Sequence, residues 1–497
     1  MRLKNTEREV RIHSVKYNFI MNFLLSVSSF IFPLITFPYV SRVLTADGVG
    51  AVSFAISFVS YFTLVASLGI PVYGIRACAE VRNDKDKLYT VAQELLIINI
   101  VTTLLTVAVY ICSIQIIPRL AEDKILFYIC GLNIVLNALG SNWFFQAIEQ
   151  FSYITIRSLA LKLISLILLF VLVHGASDYL IYAGITVIAA VGSCILNFFR
   201  MLRLGVLKKR RKYSFRRHLK PALILFAQSA TVSVYTNLDT VMLGMMRGNN
   251  DVGYYYVATQ IKQIFLMLIT SFSNVLLPRM TSFATEGKNE KFYSTMATGL
   301  NFSLFISLPI AFMFAVIGED LIFVIAGSGY LESVLPAKIL LFALIVIGLT
   351  QVIGIQVLTP LKQENKVFLS VAFGAVTNVF LNIMLIPRLG VVGVAVATLV
   401  AETVVLLLQS IFARKQLIQV KSKIRVIKYL GSTLISFIVC LMIYAFFPVE
   451  CQLVKATIAC LAFLASYVLV LRVFGDPFVL EGLNDLRKII SLIRQKI

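Results

Sequence analysis

The stretch VKYNFIMNFLLSVSSFIFPLITFPYV, residues 15–40, decides the fold class of this chain. At about 1.5 Å per residue, a helix of this length crosses the roughly 30 Å hydrocarbon core of a bilayer. The stretch follows a basic N-terminus but is too long for a signal peptide, and it contains Pro33 and Pro38 without a small-residue cleavage site. We therefore predict that it is the first span of a membrane protein, with the two prolines forming a kink or a hinge.

Blocks of similar length and hydropathy recur along the whole sequence. A closed barrel would show shorter strands of alternating polarity, so the predicted fold class is all-α and polytopic. The composition agrees, since 59% of the 497 residues are hydrophobic, against about 45–50% in soluble domains. The fourteen predicted spans are residues 15–40, 47–70, 91–117, 125–148, 158–174, 179–202, 221–246, 254–278, 296–317, 335–359, 367–386, 392–412, 429–449 and 453–472.

The distribution of cations explains the net charge of +21. With the N-terminus inside, 37 Lys and Arg side chains fall to the inner membrane face and 7 to the outer face, and Lys262 remains within a span. This bias predicts that both termini are cytoplasmic. The basic inner loops would face a leaflet rich in anionic lipid, which makes that lipid a predicted partner and removes the need for nucleic acid.

The most basic loop, residues 203–220, divides the predicted spans into groups. We predict an N-terminal lobe over residues 1–202, a basic cytoplasmic linker over 203–220, a C-terminal lobe over 221–412 and accessory spans over 413–472. Residues 473–497 are predicted to form an amphipathic helix on the inner membrane surface, since apolar residues recur there at alternating spacings of three and four. The linker either sets topology or also attracts an anionic head group.

A faint internal repeat suggests that the two lobes are duplicates. Val49-Gly50 opens the second predicted span, and Val252-Gly253 opens the eighth at an offset of 203 residues. Prolines end both spans at nearly the same offset. We therefore expect the two lobes to share a topology.

The sequence offers little support for catalysis. It has no CxxC or Cys/His pair with metal-ligand spacing, no phosphate-binding loop of the ATPase type and no loop long enough for a catalytic domain. We expect no cofactor, no metal and no enzymatic activity.

Ionisable side chains inside the spans are the first candidates for function, because each is costly in hydrocarbon. Asp239 in the seventh span and Lys262 in the eighth are predicted to lie at similar depth on neighbouring helices. They form either a packing ion pair, or an anion contact by Lys262 with Asp239 as its counter-ion or as a proton carrier. Glu402 in the twelfth span is either a coupling acid or a neutral hydrogen-bonding acid.

Arginines at span ends and amides within spans complete the candidate set. Arg42 and Arg76 either snorkel to the interface or bind phosphate at a cavity mouth. Amides suit a hydroxyl-rich cargo, although many join helices together. The amides predicted to contact substrate are Asn142, Gln146, Gln228, Asn237 and Gln263.

Three segments carry a family resemblance: FPLITFPYVSRVLTADGVGAVSF (32–54), WFFQAIEQFSYITIRS (143–158) and NVFLNIMLIPRLGVVGVAVATLVAE (378–402). They resemble bacterial polysaccharide flippases of the Wzx type, in the multidrug/oligosaccharidyl-lipid/polysaccharide exporter superfamily. The likeness extends over nearly the whole chain. One departure is Thr45, where a glycine often follows the leucine.

The resemblance implies two six-helix lobes around a central cavity that opens alternately to each side, with two extra C-terminal helices. It implies an undecaprenyl-pyrophosphate-linked oligosaccharide as cargo, moved across the bacterial plasma membrane. Polysaccharide assembly proteins would be partners. The alternatives are an exporter of other lipid-linked precursors or drugs, and a membrane-embedded polymerase or ligase, which would be expected to carry a large outer loop.

Overall fold

The computed structural model describes residues 15–208, 213–446 and 452–482, and within these ranges every regular element is helical. Short 3₁₀ turns precede α8 and α12 and follow α14, and a π-helical segment, Gln351–Leu358, extends α12. The α-helices are α1 (Val15–Ser67), α2 (Ile70–Glu80), α3 (Lys85–Ile116), α4 (Pro118–Ala121), α5 (Lys124–Gly140), α6 (Asn142–Ala147), α7 (Phe151–Leu172), α8 (Tyr179–Arg203), α9 (Arg216–Met246), α10 (Asn249–Thr285), α11 (Asn289–Ala326), α12 (Val334–Thr350), α13 (Glu364–Phe412), α14 (Arg414–Val420), α15 (Val426–Phe446) and α16 (Gln452–Val473).

Eleven helical segments of the described chain are long and apolar enough to cross a membrane. Two of them, containing α1 and α13, each hold two predicted spans, and α9 supplies the remaining one. Each of the fourteen predicted spans therefore has a helix, and the prediction of a polytopic all-α membrane protein is confirmed. The orientation of the termini stays a prediction, and residues 483–497 of the predicted amphipathic tail lie outside the described residues.

The two longest helices are each broken where one predicted span ends and the next begins. In α13 the break is at Gly390, with φ 54° and ψ −128°. In α1 it is at Thr45, with φ 61° and ψ 176°. Because a side chain makes such a conformation costly, by about 1–3 kcal/mol, the backbone is strained at Thr45.

Residue contacts divide the chain into two compact units, with the boundary between Gly253 and Tyr254. In the first unit α1 packs against α3, α5, α7 and α9, and α5 packs against α8. The buried side chains of Trp143, Phe144 and Phe145 in α6 belong to the hydrophobic core between α2, α3 and α7. The predicted domain boundaries at residues 202, 220 and 412 stay predictions.

In the second unit α11, α12 and α13 pack side by side, and α15 and α16 cover α11. The hydroxyl of Tyr467 in α16 donates to the carbonyl oxygen of Phe305 in α11 at 3.0 Å. At one end of this layer the fully buried Asp476 accepts a hydrogen bond from Tyr429 at 2.9 Å. The two predicted accessory spans are thus an integral part of this unit.

Candidate functional site

Polar and charged groups within the helices define the candidate site, since an ionised side chain at mid-membrane costs about 2.5–3.5 kcal/mol on insertion scales. Helix α7 begins at Phe151, seven residues before the predicted fifth span. Arg157 and Lys162, which the charge count assigned to the inner face, therefore lie within the helix. The helix extends seven residues beyond the predicted span at its N-terminal side, and Thr155 and Arg157 in this extension are buried.

A break between α5 and α6 leaves backbone hydrogen-bonding groups inside the first unit that need polar partners. The break is at Ser141, whose φ of 41° is left-handed, and it leaves backbone groups at the helix ends without helical partners. The fully buried Asn197 of α8 supplies a hydrogen-bond donor to one of these groups. Its Nδ2 donates to the carbonyl oxygen of Gly140 and, at 2.9 Å, to Oδ1 of Asn142.

Arg157 completes this buried cluster. Its guanidinium donates to Oδ1 of Asn142 and, at 2.8 Å, to the carbonyl oxygen of Ser193, and it lies 5.1 Å from the centre of the Tyr153 ring. The side chain is only 5% exposed. Arg157, Asn142 and Asn197 together form what we call the α5–α6 knot. The knot holds α5, α6, α7 and α8 together around a broken helix.

Two of the predicted substrate-binding amides lie at this break. Oδ1 of Asn142 accepts hydrogen bonds from both Arg157 and Asn197, so this oxygen already has protein partners. Gln146 lies one turn later in α6 and is half-buried. Their predicted contact with substrate stays a prediction.

Lys162 lies five residues after Arg157 and has different surroundings. Its Nζ donates to the hydroxyls of Ser28 at 3.1 Å and Ser29 at 2.8 Å, both on α1. The side chain is half-buried. Lys162 is the twelfth of 22 residues in α7, so it lies about 15–16 Å from either end of the helix. The predicted fifth span, residues 158–174, already contains Lys162, but the charge count assigned this lysine to the inner face.

The three ionisable residues singled out from the sequence lie in helices, as expected. Asp239 is buried in α9 of the first unit and interacts electrostatically with Tyr61 of α1. Lys262 is half-buried in α10, and Glu402 is buried in α13, both in the second unit. The predicted pairing of Asp239 with Lys262 stays a prediction.

The remaining candidates differ in exposure. Arg42 is exposed on α1, three residues before the Thr45 break, and Arg76 is exposed on α2 and pairs with Glu80 at 3.3 Å. Asn237 donates to the carbonyl oxygen of its own helix at Ser233, whereas Gln263 is exposed. The side chain of Gln228 lies outside the described residues.

A buried carboxylate, missed by the sequence analysis, holds the end of the basic linker. Glu94 of α3 is 1% exposed and accepts hydrogen bonds from Arg217 at 2.5 Å and His218 at 2.8 Å. Tyr73 of α2 contacts the other ring nitrogen of His218 at 2.9 Å. The signal was present in the sequence as an acidic residue within the third apolar block.

The repeated Val-Gly pairs meet at one end of the first unit. A Cβ atom on Gly50 would lie 1.8 Å from the carbonyl oxygen of Asn249, and a Cβ on Gly253 would lie 2.0 Å from that of Ala46. Each glycine thus packs against the residue four positions before the other glycine. The contact is reciprocal, and the predicted duplication of the two lobes stays a prediction.

Known proteins similar to this chain include one transport protein that matches over nearly its full length and a flippase that matches over part of its length. A candidate O-antigen transporter of Escherichia coli (strain K12) is 22% identical over 413 residues, covering 81% of this chain and 97% of the relative. The candidate flippase AglR of Haloferax volcanii is 29% identical over 205 residues, covering 41% of this chain and 42% of the relative.

Solved structures share the fold at low sequence identity. The lipid II flippase MurJ in an inward closed conformation aligns with a TM-score of 0.59 and 17% identity, covering 92% of this chain and 99% of that chain. A multidrug resistance MATE family transporter in an inward-facing conformation aligns with a TM-score of 0.56 and 15% identity, covering 79% of this chain and 99% of that chain.

Two family models match parts of the sequence. The MatE model matches residues 225–385. The model described as polysaccharide biosynthesis protein matches residues 15–284, which is more than half of the chain and includes the α5–α6 knot, Lys162, Asp239 and Lys262. The chain therefore belongs to the polysaccharide biosynthesis protein family.

Proposed function

We propose that this protein is a flippase that moves undecaprenyl-pyrophosphate-linked oligosaccharide repeat units across the bacterial plasma membrane for surface polysaccharide biosynthesis. The observation that carries the proposal is the family match over residues 15–284, supported by the Escherichia coli relative that aligns over 97% of its length. Polar and charged groups inside the helices supply the chemistry that such a cargo needs.

The candidate residues are assigned to different parts of the cargo according to their charge. Lys262, Arg42 and Arg76 are the proposed contacts for pyrophosphate, because their cations attract its negative charge. The amides Asn142, Gln146, Gln228, Asn237 and Gln263 are the proposed contacts for sugar hydroxyls. Asp239 and Glu402 are the proposed coupling acids, since acidic side chains within membrane helices often mark ion or proton pathways. The polyprenyl tail stays in the bilayer.

The proposed mechanism is alternating access, in which the cargo-binding residues become accessible first from one side of the membrane and then from the other. The charge bias predicts that Gly50, which follows the Thr45 break in α1, and Gly253, near the start of α10, lie toward the outer face. The backbones of these two segments approach too closely there for a Cβ atom to fit between them.

The basic linker and its neighbours give the protein inner-face partners. Residues 203–220 and the C-terminal segment lie next to anionic lipid in the proposed orientation. Assembly proteins that use the translocated repeat unit act on the outer side. The protein itself forms and breaks no covalent bond of the cargo.

Replacement of Lys262 by Ala tests the proposal in cells whose surface polysaccharide depends on this chain. We expect the variant to reach wild-type membrane abundance while surface polysaccharide falls at least about tenfold, since one charge-assisted contact contributes roughly 1.5–3 kcal/mol. The matched control is Lys291→Ala, which removes an exposed lysine at the start of α11.

Normal surface polysaccharide in the Lys262→Ala cells would show that this lysine is not part of the site.

Cells that lack the protein altogether distinguish between the proposed cargo and the alternatives. Accumulation of lipid-linked oligosaccharide on the cytoplasmic side supports the proposal, whereas accumulation of a cell-wall precursor or sensitivity to drugs would favour the other exporters.

A further inference from the structure

Helices α1 and α7 form a continuous parallel seam within the first unit. The hydroxyl of Thr155 donates to the carbonyl oxygen of Met21 at 2.9 Å, and the hydroxyl of Tyr39 donates to that of Val173 at 2.6 Å. Both pairs are 134 residues apart, so the two helices keep one register over 18 residues. The two hydrogen bonds therefore fix which residues of α1 and α7 lie side by side between them.

Lys162 lies in the middle of this seam and keeps the same register with Ser28. The hydroxyls of Ser28 and Ser29 donate to the carbonyl oxygen of Leu25, at 2.7 and 3.0 Å, so their lone pairs accept from Lys162. Among the described residues, the partners of the Lys162 ammonium are hydroxyls, and no carboxylate acts on it. These contacts hold the cation in place without neutralising its charge.

Helix α1 presents two exposed faces of opposite character beside Lys162. Exposed polar side chains at Asn22, Ser26 and Ser29 recur at spacings of four and three, which places them on one face. The exposed apolar residues Phe23, Leu24, Ile31, Leu34 and Ile35 fall on the opposite face at about 100° per residue. The apolar face suits lipid, so the polar face with Lys162 beside it faces an aqueous space.

We propose that Lys162, held by Ser28 and Ser29, is an anion-binding position for the phosphate oxygens of the lipid-linked cargo in mid-transit. This inference rests on the proposed function. Depth favours the cargo over a resident lipid, because Lys162 lies about 15–16 Å from either end of α7, whereas lipid head groups stay at the membrane surface. The site differs from Lys262 in position and lies entirely within the first unit.

Inorganic pyrophosphate is the probe that tests this position in the purified full-length protein. We expect pyrophosphate to raise the thermal unfolding midpoint, with a half-saturating concentration at least about tenfold higher in Lys162→Gln and within about threefold of wild type in Lys162→Arg. The control is Lys124→Gln, because Lys124 also donates to a neutral oxygen, that of Gln115 at 3.1 Å, but at a helix end. This control should bind like wild type.

A second variant keeps the test decisive if Lys162→Gln does not fold. Ser29→Asp places a carboxylate beside the Lys162 ammonium at an exposed position. The carboxylate should form an ion pair with the ammonium and so weaken pyrophosphate binding about tenfold. In cells, both Lys162→Gln and Ser29→Asp should translocate cargo about tenfold more slowly at equal abundance.

Three outcomes separate the possibilities. Wild-type pyrophosphate affinity in Ser29→Asp or Lys162→Gln would overturn the anion site. The anion site would also be overturned if phosphatidylglycerol vesicles, but not pyrophosphate, raised the thermal unfolding midpoint in a way that depends on Lys162. That result would favour a resident lipid. A wild-type chain that binds pyrophosphate through Lys162 yet translocates no lipid-linked oligosaccharide would support the site and refute the proposed function.

Discussion

Arg157 and Lys162 lie five residues apart on α7, yet the two cations have different surroundings. Arg157 is 5% exposed and donates to an amide oxygen and a backbone carbonyl while packing against an aromatic ring. Lys162 is half-buried, and its described partners are two hydroxyls on the edge of an exposed polar face. Arg157 meets the unpaired groups of a broken helix, whereas Lys162 meets groups that are already hydrogen-bonded to their own helix.

This difference separates a structural charge from one available to a ligand. Membrane depth does not distinguish the two, since both lie within a transmembrane helix. The distinguishing property is whether the protein needs the cation to satisfy its own polar groups. The polar groups of the α5–α6 knot need the cation of Arg157 as a hydrogen-bond donor. The hydroxyls beside Lys162 do not need its cation, because they already form hydrogen bonds within α1.

The largest expected effect is the loss of the knot in Arg157→Leu. Removing the guanidinium leaves buried acceptors at Asn142 and Ser193 without this donor, which should destabilise the folded protein by about 3 kcal/mol. We expect little monodisperse protein in detergent chromatography and a lowered thermal midpoint. Arg157→Lys keeps the charge but loses the planar fork and should be intermediate. A wild-type midpoint in Arg157→Leu would place this arginine among the ligand-binding cations.

A smaller loss is expected when the knot keeps its arginine but loses an amide. Asn197→Ala removes the hydrogen bonds to the carbonyl of Gly140 and to Asn142, which should cost about 2 kcal/mol. Chemical or thermal unfolding in detergent measures the change. Asn250→Ala, at an exposed asparagine, is the control and should unfold like wild type. Equal stability of the two variants would mean that the broken helix is held by other contacts.

The smallest expected effect is on the Lys162 position. The double replacement of Ser28 and Ser29 by Ala removes the hydroxyls that hold the ammonium, but it should lower stability by only about 1 kcal/mol, because Lys162 remains partly hydrated. Pyrophosphate binding should change less than about threefold, since the charge remains. If this double variant lost folded protein as Arg157→Leu does, the contrast between the two positions would disappear.

Much of the architecture follows from the sequence because hydrocarbon thickness and apolar run length are tightly linked. All fourteen predicted spans have helices. The continuity of α1 and α13 across two spans was not predicted, since an apolar count cannot tell a tight turn from a kink at one residue. Thr45, noted from the sequence only as a departure from the family pattern, adopts a backbone conformation that glycine tolerates more readily.

The candidate site is less visible from sequence. Asp239, Lys262 and Glu402 stand out because each interrupts a clear apolar run. Arg157 lies just before the predicted fifth span because α7 begins seven residues earlier than that span. Lys162 lies within the predicted span, but the charge count assigned it to the inner face. The knot depends on a left-handed Ser141, and one sequence carries no signal for that backbone conformation.

Translocation by the purified protein in vesicles tests the central claim most directly. Vesicles loaded with a polyprenyl-pyrophosphate-linked oligosaccharide are treated with a membrane-impermeant glycan-cleaving enzyme, and the protected fraction is measured over time. The account predicts that the wild-type protein brings the inner-leaflet glycan to the enzyme, while Lys262→Ala and Lys162→Gln leave most of it protected. Equal protection with and without the wild-type protein, under conditions where it is folded, would contradict the account.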